Sequence, residues 1–318
     1  MRGWPGLGLP DVITGYGSSQ EVLNEKAALF LGCDSSRVHL LNGASQAYPV
    51  LRHLYRGRRV TIPQPTFGEY PRSFPQASHY RDSPGADVQL PELYSRQTDL
   101  LVIVNPNNPS GHTMPTESIY DLAARTPETM FLIDESFLAF SGQPSMISFL
   151  EQAPLDNVVV LTSLGKAFGV PGLRLGYLYS SNADIHHGFH EFGAIWGVNA
   201  LAEFFLELTI KFRKDLEQSI ALTVAERSRM RDRLAENPLV CRVHDSGGNF
   251  LLVQLRGEEP DAAARLRQEL LAASRIEVKD VSGKFPDNLP RLRLAVRTRA
   301  DNDRLIRALQ SVSAAALI

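Results

Sequence analysis

The chain has 318 residues, with 33 Lys and Arg against 35 Asp and Glu, so its formal net charge is −2 and neither a nucleic acid nor an anionic membrane surface is an expected partner. Hydrophobic residues make up 43% of the chain, which is typical of a folded globular protein of about two domains. Cys33 and Cys241 provide no disulfide framework, and no signal peptide or apolar run of membrane-spanning length is recognised, so we expect a cytoplasmic protein.

Short apolar segments alternate with helical segments along the first 200 residues. An arm over residues 1–15 is rich in glycine and proline, and a helix capped by Ser18 or Ser19 is predicted over 20–31. Strands are predicted at 38–41, 59–62, 100–104, 130–133 and 158–161, and helices at 46–54, 116–124 and 145–151. Val/Ile/Leu strands separated by helices indicate a mainly parallel sheet covered on both faces.

The pattern changes near residue 198. Residues 199–236 contain no proline or glycine, and we predict one long helix there. Strands at 249–254 and 291–296 and helices at 260–273 and 302–312 follow. We therefore predict a large α/β domain over 16–200 and a smaller α+β domain over 201–318, which the arm of residues 1–15 joins.

Polar, loop-forming residues follow several predicted strands, and the carboxyl ends of parallel strands share the edge where ligands bind. Small residues at 43–45 would let backbone N–H groups approach an anion, although an ordinary turn is the simpler alternative. Two Asn-Pro steps within residues 105–109 would fix the amide of Asn108 at the next junction. Asp134 ends a hydrophobic strand, where a carboxylate needs a cationic partner unless it is exposed.

The junction at residues 162–177, TSLGKAFGVPGLRLGY, carries the most information. Lys166 follows a Val/Leu strand, and Arg174 follows eight positions later. A buried lysine beside another cation has a lowered pKa, which suits imine formation, and an arginine can hold a phosphate through two hydrogen bonds. Four glycines make a plain solvated loop the weaker explanation. Arg297 ends the strand at 291–296 and is a candidate clamp for a carboxylate, although a solvent-facing arginine is the commoner outcome.

These motifs, in this order, resemble the class I/II aminotransferase branch of the fold-type I pyridoxal-phosphate (PLP) enzymes. The resemblance rests on NPNNPSG, Asp134, SLGK and Arg174, and it extends from about Tyr16 to the C-terminus. It implies a large domain with a mainly parallel seven-stranded sheet between helices, a small α+β domain, PLP as cofactor, and a homodimer with shared active sites. No metal is expected.

The resemblance also implies roles toward the cofactor. Lys166 would be the Schiff-base lysine, Asp134 would pair with the protonated pyridine nitrogen, and Asn108 would bond the phenolic oxygen. Phe67 would stack on the ring. The residues that would surround the cofactor phosphate are Ala44, Ser45, Ser163, Arg174 and, from the neighbouring subunit, Tyr16.

Two cations are implied for the substrate. Arg297 would clamp its α-carboxylate, and Lys279 stands where better-known relatives hold a distal phosphate with an arginine. A further departure is Gly165, which replaces the usual Ser or Thr before the lysine.

Two reactions fit the resemblance. Phe137 stands where histidinol-phosphate aminotransferases carry a tyrosine, and VPGLRLGYL with WGVNALA resembles threonine-phosphate decarboxylase. IWGVNALAEFF with VKDVSGK resembles PLP domains fused to nucleotidyltransferases, some of which decarboxylate CMP-linked amino acids. We expect a decarboxylase of an anionic L-amino acid that is O-phospho, phosphono or CMP-linked. An aminotransferase of histidinol-phosphate type is the alternative, and a non-catalytic protein of this fold is disfavoured because Lys166, Asp134 and Arg174 are retained.

Overall fold

The computed structural model describes residues 16–82, 97–259 and 261–312. The arm predicted over 1–15 therefore lies outside the described residues. The first seven strands are β1 Val38–Leu41, β2 Val60–Gln64, β3 Ser78–Arg81, β4 Leu100–Val104, β5 Met130–Asp134, β6 Val158–Ser163 and β7 Gly176–Ser180. They form one sheet in the order β1-β7-β6-β5-β4-β2-β3. Strands β2 to β6 pair in parallel and β7 is antiparallel to both of its neighbours, so the predicted mainly parallel seven-stranded sheet is confirmed.

Helices cover both faces of this sheet. The helices that the structure describes are α1 Gln20–Leu31, α2 Ala47–Leu54, α3 Glu69–Ser73, α4 Thr116–Arg125, α5 Met146–Leu150, α6 Leu164–Ala167, α7 Ala183–Phe192, α8 Ala200–Lys211, α9 Arg213–Ala235, α10 Ala262–Ser274 and α11 Arg299–Ser311. Alternate side chains of a strand point to opposite faces. In β4, Leu101 and Ile103 belong to the apolar cluster under α1, α4, α5 and α8, whereas Leu100 and Val102 belong to the cluster under α2 and α7. A strand buried on both faces must be apolar throughout, which explains its continuous Leu/Val/Ile sequence.

A second, antiparallel sheet follows. Its strands are β8 Val240–Val243, β9 Phe250–Leu255, β10 Lys279–Asp280 and β11 Arg291–Ala295, in the order β10-β11-β9-β8. Leu251 and Leu292 of this sheet pack with Leu266 of α10 and Leu309 of α11 in a separate apolar cluster. This arrangement agrees with an α+β unit, and the division near residue 200 stays a prediction.

The predicted single helix over 199–236 is wrong in one respect, because α8 and α9 are separate helices that meet at Phe212. The backbone of Phe212 leaves the helical region, with φ −105° and ψ 30°. Next to it, the Arg213 guanidinium lies 5.2 Å from the Phe30 ring centroid and donates to the Phe30 carbonyl on α1. A tertiary contact therefore accompanies a break that no proline or glycine marks. None of the described helices is long and apolar enough to cross a membrane.

Shortening a buried side chain of the central strand β5 should destabilise the protein. Leu132 is fully buried in the cluster under α2 and α7. We expect Leu132→Ala to lower the free energy of unfolding by about 2–5 kcal/mol, because the lost methyl groups leave a cavity that a packed sheet cannot close. Denaturant unfolding measures the change. The matched control is Leu222→Ala on α9, whose side chain is exposed and whose loss should change stability by no more than about 0.5 kcal/mol.

Candidate active site

The carboxyl ends of β4, β5 and β6 open into one cavity of about 210 Å³. Eight residues that the sequence singled out line it together: Ala44, Ser45, Phe67, Asn108, Asp134, Ser163, Lys166 and Arg174. Residues that the sequence did not single out for the site also line it, among them Tyr48, Glu69, Ser136 and Arg293. The edge of the sheet therefore brings separate chain segments to one place, as parallel topology requires.

Asp134 supplies a buried carboxylate at the end of β5, with only 4% of the residue exposed. The Tyr70 hydroxyl donates to its Oδ2 at 2.7 Å, and the Ser136 N–H donates to Oδ1 at 2.9 Å. Burial nevertheless raises the pKa of Asp134 above its ordinary value, because removal from water disfavours the charged form. A cationic group in the cavity would oppose that shift.

Lys166 lies on α6, the single turn of helix that follows β6, and its side chain faces the open cavity. Its Nζ lies 5.8 Å from the centroid of the Phe137 ring. Loss of hydration lowers the pKa of this amine, and the charges of Arg293 and Arg174 lower it further. A lowered pKa leaves more of the amine neutral, and the neutral amine is the form that attacks a carbonyl.

One end of the cavity is built for an anion. The Arg174 Nη2 donates to the Ser45 Oγ at 2.6 Å, and Ser163 lines the same cavity. Gly43 has φ +75°, and a Cβ there would stand 2.6 Å from the Arg174 Nη2. A Cβ on Gly176 would stand 2.7 Å from the Ala44 nitrogen and from the Thr162 carbonyl oxygen. Glycine is therefore required at both positions for the arginine and the small-residue turn to approach each other.

Asn108 contacts the second, four-stranded sheet of β8 to β11, which is called the small sheet below. Its side-chain oxygen accepts a hydrogen bond of 2.7 Å from the Arg293 Nη1. The Arg293 guanidinium also lies 5.3 Å from the centroid of the Phe250 ring, and Phe250 packs edge-to-face on Phe137 at 5.0 Å. The aromatic pair and the amide together fix the direction of this arginine.

The prediction that Arg297 clamps a carboxylate is not supported by its position. The Arg297 side chain is 70% exposed, forms an ion pair with Asp301 at the start of α11, and does not line the cavity. Arg293, which lies four residues earlier in the chain and within β11, lines the cavity instead. Residues at i and i+2 share a face of a strand, but Arg297 follows the end of β11 and has left the sheet.

Tyr16 and Lys279 lie outside the cavity lining. Tyr16 is 83% exposed and stacks on Trp196, with ring centroids 4.5 Å apart. Its predicted contact with a neighbouring subunit stays a prediction. Lys279 lies on β10 and pairs in register with Arg293 of β11. Among the residues that the structure describes, no group of three His, Cys, Asp or Glu side chains could hold a metal ion.

The described residues fit pyridoxal 5'-phosphate. Arg174, Ser45 and Ser163 suit its phosphate, and the Asp134 carboxylate has the burial and charge that suit a protonated pyridine nitrogen. Phe67 supplies a flat apolar wall, and Lys166 supplies an amine of lowered pKa. A site with these four features on a sheet of this topology defines a fold-type I PLP enzyme.

The comparisons with known proteins agree. The model of the family "Aminotransferase class I and II" matches residues 10–309, and the chain therefore belongs to this family. It is an enzyme, and pyridoxal 5'-phosphate is its cofactor.

Several curated relatives are similar over most of this chain. The CMP-5'-(3-aminopropyl)phosphonate synthase of Streptomyces rubellomurinus is 32% identical over 95% of this chain, which spans only 49% of that longer protein. The L-serine phosphate decarboxylase of Sulfurospirillum multivorans is 28% identical over 95% of this chain and 80% of its own length. The histidinol-phosphate aminotransferase of Thermococcus gammatolerans is 28% identical over 91% and 80%. Among solved structures, the L-threonine-O-3-phosphate decarboxylase from Porphyromonas gingivalis is 25% identical with a TM-score of 0.81, over 95% of this chain and 91% of that one.

A buried ion pair holds the loop that carries Asn108. The Asp82 carboxylate pairs with the His112 Nδ1 and accepts a 2.8 Å hydrogen bond from the Asn107 Nδ2, which also donates to the Pro65 carbonyl at 2.8 Å. The hydrogen bond to Asp82 raises the pKa of His112 above its ordinary value. Asp82 thereby ties both ends of the segment 107–112 to the end of β3.

The pH dependence of this tie follows from the direction of the shift. A histidine whose pKa is raised in the folded state stabilises the fold fully below its unfolded pKa of about 6.5 and loses that stabilisation as the pH rises through the folded pKa. We expect the melting temperature of the wild type to exceed that of His112→Gln at low pH and to approach it at high pH. The control is His187→Asn on α7, because the His187 side chain is 77% exposed and its contact with Glu191 is screened by water, so its loss should change stability little. A constant difference across the pH range would contradict the ion pair.

Proposed function

We propose that the chain is a PLP-dependent decarboxylase of an L-amino acid that carries a phosphoryl or related anionic group. Relatives named for serine phosphate and threonine phosphate decarboxylation support the substrate class, and the CMP-5'-(3-aminopropyl)phosphonate synthase keeps phosphono and CMP-linked substrates within it. The observation that carries the proposal is the buried Phe137 beside Lys166, where the aminotransferases of histidinol phosphate have a tyrosine.

The chain's own residues perform the positioning. Pyridoxal 5'-phosphate would supply an electron-withdrawing ring, and Asp134 and Arg174 would hold its ring nitrogen and its phosphate. Arg293 would bind the α-carboxylate of the substrate, because its fork is free of acidic partners among the described residues and faces the cavity. A carboxylate held there lies beside the Phe137–Phe250 pair, and a weakly hydrated carboxylate loses CO₂ more readily. The Lys166 amine, whose pKa is lowered, is placed to accept or return a proton at the substrate's Cα.

The alternative is an aminotransferase of histidinol-phosphate type, which would pass the amino group to a 2-oxo acid. Relatives with that name are also 28% identical to this chain, so similarity alone does not separate the two reactions. The difference lies in which bond at Cα breaks, and hence in the product.

We also propose that the enzyme acts as a homodimer in the cytoplasm. Tyr16, Ile195 and Trp196 form an exposed apolar patch, and a tyrosine at the position of Tyr16 commonly reaches the neighbouring subunit's site in this family. Both cysteines are free, which suits a reducing compartment.

Product analysis separates the two reactions. The holoenzyme is incubated with O-phospho-L-serine, O-phospho-L-threonine or CMP-serine, and CO₂ and 2-oxo acid are measured together. We expect CO₂ without a 2-oxo acid for at least one of these substrates. Formation of 2-oxo acid without CO₂ would favour the aminotransferase.

Lys166→Ala should lose the visible absorbance of the bound cofactor and the reaction, because no other described residue lining the cavity carries an amine.

A pair of arginine variants tests the carboxylate site. Arg293→Gln should raise KM for the amino acid about 100-fold, because it leaves a carboxylate without its charged partner. Arg297→Gln should leave KM unchanged, since that side chain is exposed and paired with Asp301. Steady-state kinetics of both variants, with circular dichroism to verify folding, decide between the two positions. The opposite pattern would restore the original assignment.

A further inference from the structure

Three cations at the small sheet have no acidic partner among the residues that the structure describes. They are Arg293 on β11, Lys279 on β10, and Lys284 in the turn between these strands. Within the described part of the chain, ion pairs neutralise several other arginines, but none of those pairs involves these three side chains. A cluster of this kind beside a substrate cavity calls for an anion.

Strand register places two of the cations together. Lys279 and Arg293 are directly opposite in the antiparallel pair β10–β11, so their side chains share a face of the sheet. Like charges in this position destabilise a sheet. Asp280 follows Lys279 directly in β10, so its side chain points to the opposite face of the sheet, where its carboxylate accepts hydrogen bonds from the Ser282 N–H and hydroxyl at 2.9 and 2.7 Å.

Arg291 provides an internal comparison on the same strand. Its guanidinium is paired with Asp287 through an Nη2–Oδ2 distance of 2.9 Å and lies 4.3 Å from the Phe285 ring centroid. The strand therefore pairs one arginine with an acid and leaves the next one on that face, Arg293, directed at the cavity without one. This contrast indicates a binding role rather than a structural one for Arg293 and the lysines near it.

Lys284 extends the cluster toward the loop of Phe67. Its Nζ donates a hydrogen bond of 2.6 Å to the Thr66 carbonyl oxygen, and a Cβ placed on Gly68 would stand 3.9 Å from it. Burial lowers the pKa of Lys284, and the nearby charges of Lys279 and Arg293 lower it further. The amine thus sits half-buried between the cavity wall and the small sheet, with two of its three donors unassigned among the described residues.

We infer that Lys284 and Lys279 together bind the distal anion of the substrate, and that this anion is a dianionic phosphate monoester or phosphonate. The inference rests on the proposed function and deepens it. Arg293 is matched by the single charge of an α-carboxylate, which leaves two positive charges. A phosphate monoester carries a charge of about −1.5 to −2 at neutral pH and matches them, whereas a phosphodiester such as CMP-serine carries about −1. Resemblance pointed to Lys279 alone, and the structure adds Lys284.

Binding to the holoenzyme tests this without reference to the reaction. Titrations follow the absorbance of the bound cofactor with O-phospho-L-serine, L-serine and CMP-serine, using wild type, Lys284→Met, Lys284→Arg and the exposed control Lys214→Met. We expect Lys284→Met to raise Kd for O-phospho-L-serine about 10- to 100-fold, which is the loss of one charge-assisted contact. Kd for L-serine should not change. Lys284→Arg should stay close to wild type, Lys214→Met should match wild type, and wild type should prefer the monoester to CMP-serine.

Three results would overturn the inference. An unchanged Kd for O-phospho-L-serine in Lys284→Met would remove the lysine from the subsite. An equal loss for O-phospho-L-serine and L-serine would make its role structural. Binding of CMP-serine as tight as that of the monoester would refute the dianion assignment. Because Kd is read from binding, a finding of transamination instead of decarboxylation would defeat the proposed function and leave this inference standing.

Discussion

The site depends on one group whose burial is energetically unfavourable, the carboxylate of Asp134 at the end of the central strand β5. It is nearly inaccessible to water, and its two described hydrogen bonds come from Tyr70 and the Ser136 N–H. Those bonds do not balance the loss of hydration, since the pKa of Asp134 remains raised. A carboxylate in this position is stabilised by a cation that enters the cavity, and a protonated pyridine nitrogen is such a cation.

The rest of the site is arranged around that requirement. The two-sided apolar packing of β4, β5 and β6 excludes water from the strands and sets their carboxyl ends at one edge. At the end of the cavity that suits an anion, Arg174 donates a hydrogen bond to Ser45. On the side of the second sheet, Arg293 of β11 donates a hydrogen bond to Asn108. The formal net charge of −2 over the whole chain therefore gives no sign that Lys166, Arg174 and Arg293 line one cavity. Lys166 experiences that environment directly, and its amine is more readily neutral because of it.

Sequence reasoning worked where one local rule decides the structure. Strands β1 and β4 and helix α1 have the predicted bounds, because β4 is apolar throughout, β1 is apolar except for His39, and α1 lies between Ser19 and Gly32. Asn108, Asp134 and Lys166 could be grouped from the sequence because each follows one of the parallel strands β4, β5 and β6, whose carboxyl ends meet at one edge of the sheet. The same strand-end rule does not bring Arg297 to the cavity, since the sheet of β8 to β11 is antiparallel and its strand ends do not share one edge. The alternation of Arg291, Arg293 and Ala295 on one face was the available signal for Arg293. Lys284, the antiparallel β7 and the break at Phe212 depend on tertiary contacts that no local pattern encodes.

The affinity of the apoenzyme for the cofactor tests the role of the buried carboxylate most directly. Pyridoxal 5'-phosphate is compared with an analogue in which carbon replaces the ring nitrogen, by calorimetric titration of wild type and Asp134→Asn. The affinity of the wild type for the natural cofactor should exceed its affinity for the analogue by about 10- to 100-fold, which corresponds to the free energy of one charge-assisted hydrogen bond. Asp134→Asn should lose that preference. Equal affinity of the wild type for the two compounds would contradict the account.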